Sequence, residues 1–378
     1  MQTGLRQRIR TGVLCALAFL LAAPAFAQSD AASKLAEGAE KITAAPGANV
    51  PSPAEANDAT LLEWILSHSG PAIGDRRAGE LRVAYTFTAA EGWWENAADN
   101  KLAWHDAPAG QVHLRIFVLG ADLRLLPNLA VHARLTDELG NTRTLPVDIG
   151  WYPLLNAYGT NLELAPGHSY ALRVTVEADA ANGNGLPIVA DFSPLPLTAE
   201  MLAAMPLASS ISFAEEAELL RPGNAAQTAA ITSLWQQTDS GAEEAAGDYF
   251  VGYAMGEATV IHARRDADLH RTGLRALGRV GATALAVFPR DARTGRVVPG
   301  LTVHAELLSG EGKSFGDAIL STEHTRWFDL YQRQANVPRK AVYKLRVRFA
   351  PPGFRRWGRQ GERFAAPVDV ELHNVILK

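Results

Sequence analysis

The densest group of side chains able to do chemistry lies between residues 93 and 113. It comprises Trp93, Trp94, Glu95, Asp99, Trp104, His105, Asp106 and His113. Imidazoles and carboxylates are ordinary ligands for borderline and hard divalent cations. His105 and Asp106 can reach His113 if residues 107–111 turn back, and Pro108 and Gly110 permit that turn. His105, Asp106 and His113 are therefore the candidate metal ligands. The competing reading is an aromatic lid closing one end of a domain.

Other constellations invite the same two-sided reading. His262, Asp266, Asp268 and His270 could hold a divalent ion, or could lie in a solvated loop. His132 and His304 each fall between apolar residues of an alternating run. They point away from Val131 and Val303, so each is a metal ligand or a surface imidazole. Glu306 shares a strand face with His304. The carboxylate pairs Glu215-Glu216 and Glu243-Glu244 read as solvated helix faces. No Gly-x-Ser-x-Gly, His-Glu-x-x-His, phosphate-cradling glycine loop or EF-hand spacing occurs, so no enzyme is expected. A net charge of -4 argues against a nucleic-acid partner.

Ahead of these residues stands a targeting pattern. Arg6, Arg8 and Arg10 precede an apolar stretch at residues 12–23, and then Ala25-Phe26-Ala27. This predicts a signal peptide at 1–27, cleaved after Ala27, and a periplasmic location. The apolar run, about 12 residues, is too short for a membrane anchor, which needs about 20. The single cysteine, Cys15, lies within that run. The mature chain would then have neither disulfides nor thiolate sites.

The remaining elements divide the chain. Residues 28–74 read as a flexible leader and a short helix, opened by the capping box Ser52-Pro53-Ala54-Glu55 and stopped at Gly70-Pro71. Period-two runs follow: Leu81-Val83-Tyr85-Phe87, Val112-Leu114-Ile116-Val118, Leu129-Val131-Ala133-Leu135 and Leu172-Val174-Val176. Short alternating runs bounded by turn residues predict an antiparallel sandwich at 75–197. Residues 198–246 predict a mostly helical linker of two short helices, punctuated by Pro206 and Pro222-Gly223. Residues 247–378 predict a second sandwich. The fold class is all-β: two tandem immunoglobulin-like β-sandwich domains.

The second strand region repeats the first. Residues 126–135 match 298–307 without a gap, including His132 with His304. Trp151-Tyr152 recurs as Trp327-Phe328, and Tyr170-Ala171-Leu172 as Tyr343-Lys344-Leu345. Tyr85 has Tyr253 as its counterpart. A tandem duplication explains the shared order. Charge divides unevenly, with +8 on residues 247–378 and -15 on residues 28–246. That asymmetry suits docking between the two halves, or onto partners of opposite sign.

The order His113-Leu114-Arg115-Ile116, Pro127, Trp151-Tyr152-Pro153-Leu154, Tyr158-Gly159-Thr160-Asn161, Tyr170-Ala171-Leu172 resembles the periplasmic high-affinity ferrous-iron-transport protein family. The likeness covers about 110–180 well and about 280–375 more weakly. It implies copper- and iron-binding immunoglobulin-like sandwiches working beside an inner-membrane iron permease. The departures fall on the ligands. Arg115 stands where that family has Glu or Met, Leu154 where it has Met, and Ala157 where it has His. In the second half Leu285 falls opposite His113, and Tyr331-Gln332-Arg333-Gln334 precedes Asn336 in place of a His-Tyr-Gly loop. The expected function is an accessory or metal-binding protein of an iron or copper uptake system, its family ligands largely lost. The alternative is a non-metal interaction or scaffold protein on the same fold. Expected partners are the permease or another periplasmic protein, with homo-oligomers or intramolecular domain pairing as further options.

Overall fold

The computed structural model describes residues 53–70, 72–97, 101–177, 187–207, 211–261, 283–325, 327–335, 337–338 and 341–378. The signal peptide expected at 1–27, the leader before residue 53, Asp99, and the stretch 262–270 lie outside the described residues. Among the described residues no helix is long and apolar enough to cross a membrane.

Helix α1 (Pro53–His68) buries Leu61, Leu62, Ile65 and Leu66. Gly70 follows it with φ 80°, a left-handed conformation that glycine adopts without strain. Eleven strands come next: β1 (Ile73–Ala78), β2 (Leu81–Ala89), β3 (Trp93–Asn96), β4 (Leu102–His105), β5 (Gln111–Leu119), β6 (Val131–Asp137), β7 (Thr142–Leu145), β8 (Asp148–Trp151), β9 (Ala157–Glu163), β10 (Ser169–Val176) and β11 (Ile188–Pro196). Helices α2 (Ala199–Ala203) and α3 (Phe213–Gln237) lead to β12 (Ser240–Ala246), β13 (Tyr249–Glu257), the short α4 (Ala258–Ile261) and β14 (Thr283–Asp291). The chain closes with β15 (His304–Ser309), β16 (Ser314–Ile319), β17 (Ser321–His324), β18 (Asp329–Ala335), β19 (Ala341–Phe349), β20 (Arg355–Trp357) and β21 (Val368–Leu377).

The strands form four sheets, an all-β sandwich fold. Their orders are β1-β2-β5-β9-β8-β20-β3-β4, β11-β10-β6-β7, β12-β13-β14-β18-β17 and β16-β15-β19-β21. In the first pair of sheets Val83, Tyr85, Leu114 and Ile116 face Leu135, Leu172 and Val174. In the second pair Val251, Tyr253 and Val287 face Leu307, Leu345 and Val347. Both pairs use a tyrosine as an inner latch. The Tyr158 hydroxyl donates to the Leu126 carbonyl at 2.8 Å and accepts from the Leu129 N–H at 2.9 Å. Tyr331 does the same with Val298 at 2.8 Å and Leu301 at 3.0 Å.

Three features differ from the sequence expectation. Residues 240–246 are not linker but the edge strand β12, paired with β13. Ala242 and Ala246 pack on the second core, so this strand is claimed by a partner that local composition does not reveal. Pro222-Gly223 does not divide two helices, because α3 runs through it for 25 residues. A helical proline forfeits one backbone hydrogen bond. Burial of Leu220 at one end and of Ile231 and Leu234 at the other outweighs that loss. Finally, Trp151 and Trp327 do not play equivalent parts. Trp151 packs into the second core and donates to Asp291 at 2.9 Å, whereas Trp327 donates to the Val260 carbonyl at 3.4 Å.

Strand β20 comes from the C-terminal part of the chain but sits in the first large sheet. It pairs in parallel with β8 and antiparallel with β3. Ion pairs join the same regions: Arg296 with Asp58 at 2.5 Å, Arg359 with Asp106 at 3.4 Å, and Arg293 with Glu216. Part of the charge asymmetry is thus used inside the chain. Glu216 is 1% exposed, so it does not belong to a solvated helix face.

Candidate functional site

Strand β5 alternates, as its sequence requires. Val112, Leu114, Ile116 and Val118 enter the sandwich core. His113, Arg115 and Phe117 point the other way, yet they are buried too. Helix α1, Tyr152 and Trp357 cover that outer face, with Phe117 among them.

His113 is fully buried and held at both ring nitrogens. Nδ1 lies 2.9 Å from Asn161 Oδ1, and Nε2 lies 2.7 Å from the Tyr152 hydroxyl. Asn161 is oriented by Glu91, to whose carbonyl its Nδ2 donates at 2.7 Å. Its Oδ1 can only accept, so Nδ1 of His113 carries the proton and Nε2 accepts from Tyr152. The imidazole is therefore neutral. Burial first, and then the positive charge of Arg115, pull its pKa down to about 3. Burial likewise pushes the Tyr152 hydroxyl well above its ordinary value.

Trp357 closes the site. Its ring centroid is 4.3 Å from that of His113, and it stacks on Tyr152. Two glycines admit this packing. A Cβ at Gly150 would come within 2.6 Å of the Trp357 indole nitrogen, and one at Gly159 would overlap the Tyr152 hydroxyl. Arg356, next in line, is buried and donates to Asn96 Oδ1 at 3.1 Å and to the carbonyls of Pro352 and Phe364 at 3.3 Å. Burial lowers its pKa to about 10.

The other two candidate ligands stand elsewhere. His105 stacks on Trp93 at 4.9 Å and lies 2.9 Å from the Glu95 carboxylate. Trp93 in turn packs on Trp357 at 5.4 Å, so two indoles stand between His105 and His113. Asp106 accepts from Trp104 Nε1 at 2.7 Å and pairs with Arg359. The structure does not bring His113, His105 and Asp106 together. Among the described residues no three His, Cys, Asp or Glu side chains form a metal-ligand group. The residues around His113 do not fit a copper or ferrous ion. Its one free lone pair is taken by Tyr152, and the Arg115 charge beside it would repel a cation.

The hairpin β3–β4 forms one edge of the first large sheet and carries Trp93, Trp94 and Trp104. Trp94 packs on Trp104 at 5.1 Å, and the Arg359 guanidinium lies 4.0 Å from the Trp104 ring centre. His132 and His304 are surface imidazoles, 2.8 Å from Glu177 and 3.8 Å from Asp317. In the second half, Tyr331 pairs with Val287 as Tyr158 pairs with Ile116. Ala284 therefore takes the place of His113 and Ala286 that of Arg115, a one-residue correction to the expected Leu285. Tyr152 and Trp357 escaped the sequence reading as members of this site. Tyr152 lies in a matched segment as an unremarked neighbour, and Trp357 is remote in sequence.

No family model and no curated protein matches the chain. Among solved structures it is similar to a copper-bound variant of FetP from uropathogenic Escherichia coli strain F11. The identity is 13%, over 34% of this chain and 98% of that one, with a TM-score of 0.26.

Proposed function

We propose that this chain is an exported, non-catalytic accessory protein that works through protein contacts, with the resemblance family's metal position rebuilt as packing. One observation carries the reading. His113 is locked between Asn161 and Tyr152, beside Arg115 and beneath Trp357. A side chain so engaged contributes to the fold and is not free to bind a cation. The repeated strand order and the paired tyrosine latches support a tandem duplication, with sandwiches near 75–197 and 240–378. Divergence then follows naturally, because the second half carries Ala284 and Ala286 where the first carries His113 and Arg115. The partner would be an inner-membrane permease or another periplasmic protein.

Calorimetric titration of Cu(II) and Fe(II) into the mature chain and into His113→Ala tests this. The expected result is no tight one-to-one binding that depends on His113. Tight copper binding abolished by His113→Ala would overturn the proposal and restore a metal-carrying role.

A further inference from the structure

A cavity of about 200 Å³ opens on the outer face of the first large sheet, lined by α1, the β8–β9 connection, Pro206, Leu207, Ile211 and Glu215. Arg115 lines it and is only 4% exposed. Its Nε donates to Thr86 Oγ1 at 3.1 Å, and one Nη donates to Ser69 Oγ at 3.0 Å. A guanidinium has five N–H donors in a planar fork. The two hydroxyls account for two of them, and both acceptors are neutral. The buried Glu91 carboxylate and Tyr152 favour its charge through space, but burial outweighs them, so the cation is only partly compensated. An anion in the cavity would complete it, and a planar guanidinium matches a carboxylate by two parallel hydrogen bonds.

The walls define the rest of the ligand. Trp64, stacked on His68 with centroids 4.1 Å apart, lines the cavity together with Leu154, Leu155 and Ile211. These are apolar and aromatic surfaces. Leu207, 49% exposed, and Glu215 stand at the rim. The Glu215 carboxylate repels a negative charge near the mouth, so the charged end of a ligand points inward to Arg115 and its apolar body outward.

We infer that this cavity binds a small organic carboxylate, its charge on the Arg115 guanidinium and its flat apolar body against Trp64 and the Leu154-Leu155 wall. The inference does not depend on whether the protein carries metal. Benzoate, benzyl alcohol and inorganic phosphate are titrated into the mature chain by calorimetry at pH 7. Benzoate should bind one to one, with a Kd of about 1 mM or tighter for a ligand of this size. Benzyl alcohol and phosphate should each bind at least about tenfold more weakly, since one lacks the charge and the other the body. Arg115→Gln should weaken benzoate at least about tenfold. Leu207→Trp blocks the mouth from an exposed position and should cause a similar loss with an unchanged thermal melt. It decides the matter if Arg115→Gln does not fold. Absence of benzoate binding, equal binding of benzoate and benzyl alcohol, phosphate binding as tight as benzoate, or wild-type affinity in Leu207→Trp would each overturn the inference.

Discussion

Urea unfolding of the mature chain at pH 7 and pH 5, compared with His113→Gln, isolates the proton affinity of one buried imidazole. Burial and the Arg115 charge hold the native pKa near 3, against about 6.5 in an unfolded chain. Between those values the unfolded chain binds a proton that the native state refuses, so stability rises with pH. The contribution is complete above about pH 6.5 and is lost progressively as pH falls toward 3. Each tenfold change in proton affinity is worth about 1.4 kcal/mol, so pH 5 costs about 2 kcal/mol relative to pH 7. That figure is set almost wholly by the unfolded value, because the native imidazole stays neutral at pH 5. Glu216, pushed up to about 7 by burial, titrates in the same window with the opposite sign. It is present in both proteins and cancels in the comparison. His113→Gln should be less stable at pH 7, since Tyr152 and Asn161 lose a well-placed partner, at about 1–3 kcal/mol. Its further loss on going to pH 5 should be smaller than that of the wild type by about 2 kcal/mol. Equal losses in the two proteins would refute a buried, neutral His113.

Trp357→Ala should destabilise the chain by about 3–5 kcal/mol, measured by urea unfolding, because a large buried ring is removed from a packed site; a loss below about 1 kcal/mol would show that the first large sheet does not rely on β20. Arg293→Met should cost about 1–3 kcal/mol in urea unfolding at pH 7, because Glu216 loses its hydrogen-bonded cation and takes up a proton. Adding Glu216→Gln to that variant should recover much of the loss, and failure to do so would locate the cost elsewhere.

The alternation along Leu81–Phe87, Val112–Val118 and Leu172–Val176 is a local property of the chain, and it determined by itself which of these residues enter the first core. The ten-residue match between 126–135 and 298–307 likewise anticipated paired features. Its first and fourth residues became the acceptors and donors of the Tyr158 and Tyr331 latches. Candidate ligands were legible as residue types, but their convergence was not. Whether His105 meets His113 depends on what stands between them, and Trp357 reaches that place from the far end of the sequence. The outer face of β5 was illegible for the same reason. Period two says that His113 and Arg115 point away from the core, but not that α1 and β20 bury them there. Pro222-Gly223 and residues 240–246 were misread because propensity is local, while the burial of Leu220, Ile231, Ala242 and Ala246 is not. Tertiary packing alone makes His113 a neutral imidazole beneath Trp357, since desolvation and neighbouring charge act across space rather than along the chain.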